Sequence, residues 1–353
     1  MAKLTISSIG RFVEGFQGQR FSVGIDVHKR SFSVALLRPD GMVKSWTTPA
    51  DVEAITNRLA SLPIYISAVC YEAGPTGFGL ARSLRSAGIK VIVAAPSRIP
   101  RPVAATNKTD SLDCIKLTEL AASKLVRSIA IPTEKEEAFR ALSRRRHQIT
   151  DSLRRVKQRI RSLFLALGIA EPAGIDSWSK SAISALEHQS LPAGAAETRD
   201  SLLSELRYLI LAQKEVDTKL ERLTLEQDEA KRIAAMRSVP GVGRVVATTF
   251  AAEIYNPKRF NHSKEITSYL GLAPVIRQSG GSKGRATLRP VGQRRLRSLL
   301  IEAAWMWKQR DGWAREFYNR ILGKHGVPQK AIAALARKLA ALLWKLSLPA
   351  ETA

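Results

Sequence analysis

Residues 21–38 read FSVGIDVHKRSFSVALLR, in which a short polar turn separates two β-branched apolar runs. This pattern predicts a β-hairpin. Later apolar runs predict three more strands, GMVKSWTT, YISAVCYE and IKVIVAAP. Segments with apolar residues at helical spacing predict the helices DVEAITNRLASL, GFGLARSLRSAG and DSLDCIKLTELAASK. A hairpin followed by alternating strands and helices predicts an α/β domain with a mixed sheet over residues 21–134.

The sequence after this domain predicts mainly helices, so the fold class expected for the chain is α/β plus all-α. Within residues 135–235, two long segments carry apolar residues at a spacing of three to four. This spacing predicts an antiparallel coiled-coil arm that packs against another subunit through a seam containing Leu153 and Ile160. The alternative is that both helices pack on their own domain. Residues 236–353 form the expected C-terminal helical domain, and residues 1–20 an N-terminal extension of no assigned role.

The composition points to a polyanionic partner. The chain of 353 residues carries 56 Lys and Arg against 31 Asp and Glu, a formal net charge of +25. An excess of this size attracts the phosphate backbones of nucleic acids. The two cysteines exclude a disulfide scaffold and fit a reducing cytoplasm. No uninterrupted run of about 18 apolar residues occurs, so we expect a cytoplasmic protein with no membrane span.

Four carboxylates stand at positions that indicate a shared site. Asp26 lies inside the first apolar strand, where an unpaired charge is costly, and Glu72 ends a later strand. Asp110 and Asp113 open a helix three residues apart, and therefore on one face. This arrangement is typical of RNase H-like nucleases, whose convergent carboxylates bind Mg²⁺ for phosphodiester chemistry. Taken singly, Asp110 is also consistent with a helix cap and Glu72 with a surface charge.

Two segments of the sequence are strongly basic. Residues 140–161 contain nine basic residues and one acidic residue, which favours a phosphate-binding helix face over an ordinary solvated one. The candidate nucleic-acid contacts in this segment are Arg144, Arg145, Arg154, Arg155 and Arg159. Residues 277–297 contain seven basic residues and no acidic one. The candidate contacts there are Arg277, Lys283, Arg285 and Arg294.

Glycine-containing turns add two further candidate features. Ser279 precedes two glycines that permit the close approach of a ligand. A serine on such a loop either binds phosphate through its hydroxyl or acts as a nucleophile, and the residues alone leave both readings open. The turn PGVG, which contains Gly241 and Gly243, predicts a helix-hairpin-helix whose backbone amides face a nucleic-acid phosphate. The alternative for this turn is an ordinary tight connection between helices.

The motifs VGIDVHK, YEAGPTG, KTDSLDC, SVPGVG, GLAP, QSGG and RRLRSLLIEAA follow one another along the chain. In this order they resemble the DEDD transposases of insertion-sequence family one-hundred-ten, over nearly the whole chain. The resemblance implies a RuvC-like domain of RNase H fold with a metal-binding tetrad formed by Asp26, Glu72, Asp110 and Asp113. It also implies that Ser279 is the catalytic serine, which attacks DNA and forms a covalent phosphoserine link.

The resemblance carries expectations about partners as well. Members of the family are guided by a structured bridge RNA that pairs with both donor and target DNA. They assemble as dimers and act as tetramers, with a site shared between domains of different subunits. This sequence departs from the family pattern after QSGG, where it reads LRPVG with Arg289 and Pro290. Ser282 is a second candidate for the nucleophile in the same loop.

Two rival functions remain open at this point. A RuvC-like hydrolytic nuclease would activate water with its carboxylates and use Ser279 only to hold phosphate. A non-enzymatic protein that binds RNA or DNA would tolerate amide replacement of the four carboxylates. A carboxylate inside a buried strand, as at Asp26, argues against the second rival.

Overall fold

The structure is a computed structural model that describes residues 2–99, 110–123, 125–225, 227–277, 285–288 and 292–349. It divides into two compact units, Met1–Pro132 and Thr133–Ala353. The second unit contains both the predicted arm, residues 135–235, and the predicted C-terminal domain, residues 236–353. The division between these two segments stays a prediction. Within the described ranges, no helix carries an apolar stretch that would carry it through a lipid bilayer.

The first unit is built on one mixed sheet of five strands in the order β3-β2-β1-β4-β5. The strands are β1 Arg20–Val27, β2 Ser31–Leu37, β3 Val43–Pro49, β4 Tyr65–Glu72 and β5 Val91–Ala94. β1, β2 and β3 pair antiparallel, whereas β4 pairs parallel with both β1 and β5. The predicted hairpin and mixed sheet are therefore confirmed.

Helices cover both faces of this sheet. They are α1 Ala2–Val13, α2 Val52–Ala60, α3 Gly79–Ser86 and α4 Asp110–Ser123. Alternate residues of β1, including Val23 and Ile25, share one apolar core with α1, α2 and α3. The N-terminal segment is thus part of the fold, because Ile9 and Val13 of α1 are buried in that core. The opposite face of the sheet packs against α4, whose Leu117 lies in a separate apolar cluster with residues of β4 and β5.

The second unit is mainly helical around one apolar core. Its helices are α5 Glu134–Ala166, α6 Lys180–His188, α7 Ala195–Thr224, α8 Gln227–Arg237, α9 Arg244–Ile254, α10 Ser263–Tyr269, α11 Arg294–Arg310, α12 Gly312–His325 and α13 Pro328–Ser347. It also contains an antiparallel hairpin that the sequence analysis does not predict, formed by β6 Pro274–Arg277 and β7 Arg285–Leu288.

The two longest helices of the second unit, α5 and α7, pack along each other. The ion pair Arg146–Asp217 lies near the start of α5 and the end of α7, and the pair Arg159–Glu205 follows further along α5 but earlier in α7. The helices are therefore antiparallel. The expected apolar spacing is real, but Leu153 and Ile160 are buried in the core of this same chain. Those two residues are not available as a seam for another subunit, since periodicity identifies an apolar face without identifying what covers it.

Candidate active site

Asp26 and Glu72 lie at the same edge of the sheet in the first unit. The parallel register of β1 and β4 ends with Ile25 opposite Tyr71, so each carboxylate is the next residue of its strand. Successive side chains of a strand point to opposite faces. Because Ile25 and Tyr71 belong to the core under α1–α3, both carboxylates fall on the other face, which α4 covers.

Asp113 reaches this face on α4. The helix lies so close to β1 that a Cβ atom on Gly24 would stand 2.1 Å from the carbonyl oxygen of Cys114 and 2.4 Å from Thr118 Oγ1. Burial raises the pKa of the Cys114 thiol to about 11, with smaller contributions from the negative charges of Asp26 and Asp113. The carbonyl of Cys114 and the side chain of Thr118 therefore pack directly on β1 at Gly24, two residues before Asp26, and Asp113 stands next to Cys114 in α4.

The fourth predicted carboxylate, Asp110, is the first residue of α4. It stands one helical turn before Asp113, as the sequence predicts. Its side chain lies outside the described part of the structure.

His28 is a neighbour of the site to which the sequence analysis assigns no role. Its Nε2 atom lies 3.0 Å from Oδ2 of Asp26, with side chains that are 45% and 20% exposed. A separation of two residues in extended chain puts both side chains on one face, and that spacing is the signal that would have identified the pair. The contact orients the Asp26 carboxylate and supplies it with a partner.

The chemistry of these donors suits a hard divalent cation. All the predicted ligands are carboxylates, and oxygen ligands are what Mg²⁺ prefers. Among the described side chains, no group of three or more His, Cys, Asp or Glu converges closely enough to hold a metal ion. The residues thus fit a metal by type and by shared face, while the described side chains do not form a closed ligand shell.

Ser279 and Lys283 lie outside the described residues. The strands on either side of residues 278–284 are described, and their register closes with Arg277 opposite Arg285. Residues 278–284 connect these paired strands, and the predicted contacts Arg277 and Arg285 are the last residue of β6 and the first of β7. The side chains of these two arginines lie outside the described part of the structure. Arg294 is exposed in the first turn of α11, the next helix along the chain.

The predicted basic face of α5 contains arginines in different environments. Arg145 and Arg155 are exposed to solvent. Arg154 lies 3.6 Å from Asp151, and Arg159 lies 3.5 Å from Glu205, in both cases with a largely exposed guanidinium. Arg144 is different, because its guanidinium forms a two-pronged ion pair with Glu253 of α9 at 2.9 and 3.0 Å.

Glu253 is the buried acid that sequence reasoning missed. It is 1% exposed in an otherwise apolar helix, and it also accepts a hydrogen bond from Arg295 of α11. Like Asp26, Glu253 is a carboxylate in an apolar segment, here VVATTFAAEI, where an unpaired charge is costly. The same sequence pattern would therefore have identified it. Here the charge is balanced by arginines from two other helices, so its role is structural.

The PGVG turn joins α8 to α9. Gly241 has a φ of +89°, and a Cβ there would lie 2.7 Å from the backbone nitrogen of Trp307 in α11. Close packing on α11 therefore explains why this position is glycine. Gly243 is the residue that precedes α9 and has extended backbone. A contact of either glycine with nucleic acid stays a prediction.

Comparison with known proteins identifies the family of the chain. A DEDD transposase family model named for IS110 matches residues 23–168, and a model described as the transposase IS116/IS110/IS902 family matches residues 233–319. The protein y4qE of Sinorhizobium fredii, which bears a transposase name, is 32% identical over 294 residues, covering 81% of this chain and 71% of the relative. The transposase for insertion sequence element IS1328 of Yersinia enterocolitica is 26% identical, covering 91% of this chain and 95% of the relative. The chain therefore belongs to the IS116/IS110/IS902 family of transposases, enzymes that act on DNA.

Proposed function

We propose that this transposase cuts and rejoins DNA with a divalent cation at the Asp26 edge of the sheet and with Ser279 as nucleophile. The observation that supports the proposal is the placement of Asp26 and Glu72 at neighbouring strand ends, on the sheet face covered by α4, the helix that contains Asp110 and Asp113. Half-buried carboxylates at neighbouring strand ends are unfavourable for a protein that only binds DNA, since their negative charge repels phosphate unless a cation is bound.

The cation is Mg²⁺, held by Asp26, Glu72, Asp110 and Asp113. When bound, it supplies positive charge that stabilises the oxygens of a reacting phosphodiester. The chain itself fixes the ligands: β1 and β4 are paired strands, and α4 is held against β1 by the glycine contact described above. His28 holds Asp26 in orientation through the 3.0 Å contact.

The nucleophile is the hydroxyl of Ser279. Its oxygen forms a bond to phosphorus while the bond between phosphorus and a deoxyribose oxygen breaks, and that oxygen leaves with a proton. The result is a phosphoserine link that a second DNA end reverses. The backbone register of β6 and β7 supports this role, because it pairs Arg277 with Arg285 on either side of the segment that contains the serine, and arginines add positive charge to that segment.

The partners follow the family pattern. We propose that the protein binds donor and target DNA together with a structured bridge RNA, as dimers that join into a tetramer. The antiparallel pair α5 and α7 is the arm of this assembly. An exposed apolar pair on α7, Tyr208 at 64% and Leu211 at 61%, supports an interface there, because residues three apart share a helix face. Residues 236–353 then form the domain that carries the serine loop and the helix-hairpin-helix.

The test is a denaturing gel with labelled donor DNA and Mg²⁺. Wild-type protein should form a covalent protein–DNA species, Ser279→Ala should form none, and Ser282→Ala should form it as wild type does. Asp26→Asn should keep the fold and lose strand cleavage, because it removes one ligand charge. Each variant should still bind DNA.

Three outcomes would contradict the proposal. Cleaved DNA without any covalent species in wild type would favour the hydrolytic nuclease. A covalent band that persists in Ser279→Ala and vanishes in Ser282→Ala would identify the other serine as nucleophile. Wild-type cleavage by Asp26→Asn would remove the carboxylates from the reaction.

A further inference from the structure

A groove with a volume of about 500 Å³ lies on the second unit, between the middle of α5 and the turn that precedes α6. It is distant in sequence from the serine loop and uses none of the predicted metal ligands. Its lining residues are mostly polar or basic: Thr150, Leu153, Arg154, Lys157, Gln158, Arg161, Asp176, Trp178 and Gln213. Arg154 and Arg161 each lie within 4 Å of a carboxylate, Asp151 and Glu171 respectively, so Lys157 and the exposed part of Arg154 are the positive charge that the groove offers to an anion.

Trp178 is the unusual residue of this groove. It follows the short helical turn Ile175–Ser177 and has a left-handed backbone conformation, with φ of +48°. That conformation is unfavourable for a bulky residue, so the surrounding structure must hold it in place. The backbone N–H of Trp178 donates to the carbonyl of Ile175 at 3.0 Å. The indole is half-buried, and its remaining surface lines the groove.

Two cations stand beside the indole ring. Lys157 Nζ lies 5.2 Å from the ring centre, and the Arg161 guanidinium lies 6.0 Å from it. Burial lowers the pKa of Lys157, which shows that its ammonium group is partly withdrawn from water. Arg161 is already bound to Asp176 and lies 3.7 Å from Glu171. Arg154, at the mouth of the groove, keeps a guanidinium that is 79% exposed.

We propose that this groove binds an unpaired nucleotide of a single-stranded nucleic acid, with its base on Trp178 and its phosphate on Arg154 and Lys157. An aromatic platform beside cations is the arrangement by which proteins bind single strands without reading sequence. The amides of Gln158 and Gln213 lie in the same groove and offer donors and acceptors to a base edge. The inference rests on the proposed function in one respect, namely that such a strand is present in the recombination complex.

The experiment measures equilibrium binding by the full chain in buffer with EDTA, so that no cleavage takes place. The probes are fluorescein-labelled 12-mers of uridine and of thymidine, and an abasic phosphodiester of the same length. Trp178→Ala should weaken binding of a base-containing 12-mer on the order of 10- to 100-fold, because stacking on one base is lost. Trp178→Phe should restore most of the affinity, since the smaller ring still stacks.

A matched control is available in the same unit. Trp313 of α12 is 51% exposed and stacks on Phe317, outside the groove. Trp313→Ala should leave the affinity for both 12-mers unchanged. The abasic strand should bind wild type and Trp178→Ala alike, because phosphate contacts do not need the indole. Preference for uridine over thymidine strands would identify RNA as the occupant, and the reverse would identify DNA.

The proposal is overturned if folded Trp178→Ala binds both base-containing strands as wild type does. It is also overturned if this substitution weakens binding of the abasic strand or of a polyglutamate peptide by the same factor, since the groove would then recognise negative charge alone. These results are independent of the covalent chemistry. The covalent assay with labelled donor DNA tests Ser279 separately, so failure of the groove and failure of the serine mechanism give different patterns.

Discussion

At the scale of single residues, Gly24 is the position on which the geometry of the carboxylate edge depends. It permits α4 to lie directly on β1, where a methyl group added to Gly24 would meet backbone and side-chain atoms of α4. The close packing of α4 on β1 sets how far Asp113 in the helix lies from Asp26 in the strand. A side chain at position 24 would push the helix away from the strand and separate the two carboxylates.

We therefore expect Gly24→Ala to destabilise the first unit by about 1–3 kcal/mol, because the added carbon cannot be accommodated without moving α4. The measurement is hydrogen-exchange protection of β1 amides in the full chain. Gly10→Ala is the matched control, since Gly10 is an exposed position of α1 with no atom within 4 Å of the added carbon. There the substitution should stabilise α1 by roughly 0.5–1 kcal/mol. Equal protection in both variants would show that α4 is not held as described.

Glu253 gives a second prediction at this scale. Its burial is tolerated because Arg144 and Arg295 neutralise it. Glu253→Gln should lower the stability of the second unit by about 3 kcal/mol, since removing one partner of a buried ion pair leaves the others uncompensated. Glu205→Gln, which breaks the exposed pair with Arg159, should cost less than about 1 kcal/mol. Exchange protection of α9 amides measures both, and a small effect at Glu253 would contradict the structural role.

At the scale of elements, the strands of the first unit and its helices α2, α3 and α4 were predictable from their apolar patterns, whereas α1, in the N-terminal extension, was not predicted. β1 and β2 alternate around a turn, and Asp51 caps α2 by accepting from the N–H of Ala54 at 2.9 Å, as its sequence position suggests. The hairpin β6–β7 was not predictable in this way. Each of its strands has only four residues, one begins with Pro274, and three of the seven residues between them are glycines.

The antiparallel pair α5 and α7 shows a different limit. The sequence identifies which face of each helix is apolar, but each apolar face packs against the other helix of the same chain. Another subunit can contact only the side chains that remain exposed once α5 and α7 have packed together. The folded structure identifies those side chains, whereas the sequence does not. Tyr208, Ile210 and Leu211 are the large apolar side chains that remain exposed near the middle of α7, and Tyr208 and Leu211 are the most exposed of them.

We expect the double substitution Tyr208→Lys and Leu211→Lys to reduce the oligomer mass measured by light scattering, because it places two charges in an apolar contact. Helicity should be unchanged, since both side chains face solvent in the single chain. Ser201→Lys with Thr218→Lys adds the same number of charges at exposed polar positions of α7 and should leave the mass unchanged. An unaltered mass in the first variant would exclude this face of α7 as an interface.

At the scale of the whole molecule, the net charge predicted the class of partner. The basic segments were a poorer guide to which individual arginines are available to contact that partner. A net charge of +25 indicates nucleic acid, and the chain belongs to a family that acts on DNA. Four of the predicted arginine contacts on α5 keep exposed guanidinium groups, but Arg144 is held by a buried carboxylate from another helix. The sequence alone does not distinguish Arg144 from the neighbouring arginines, because its partner Glu253 is 109 residues away in the chain.

This difference leads to a prediction about salt. If six to ten phosphates are neutralised, affinity for double-stranded DNA should fall on the order of 10³- to 10⁵-fold between about 50 and 200 mM salt. Arg155→Gln removes an exposed cation, and it should lower the slope of log affinity against log salt by about one. Arg144→Gln should change that slope much less, because its guanidinium already has Glu253 as counter-ion and releases little bound salt. Fluorescence anisotropy titrations with one duplex at several salt concentrations measure both variants. Equal slopes for the two variants would mean that the pair with Glu253 opens on DNA binding, and that the structural and binding roles of Arg144 are not separate.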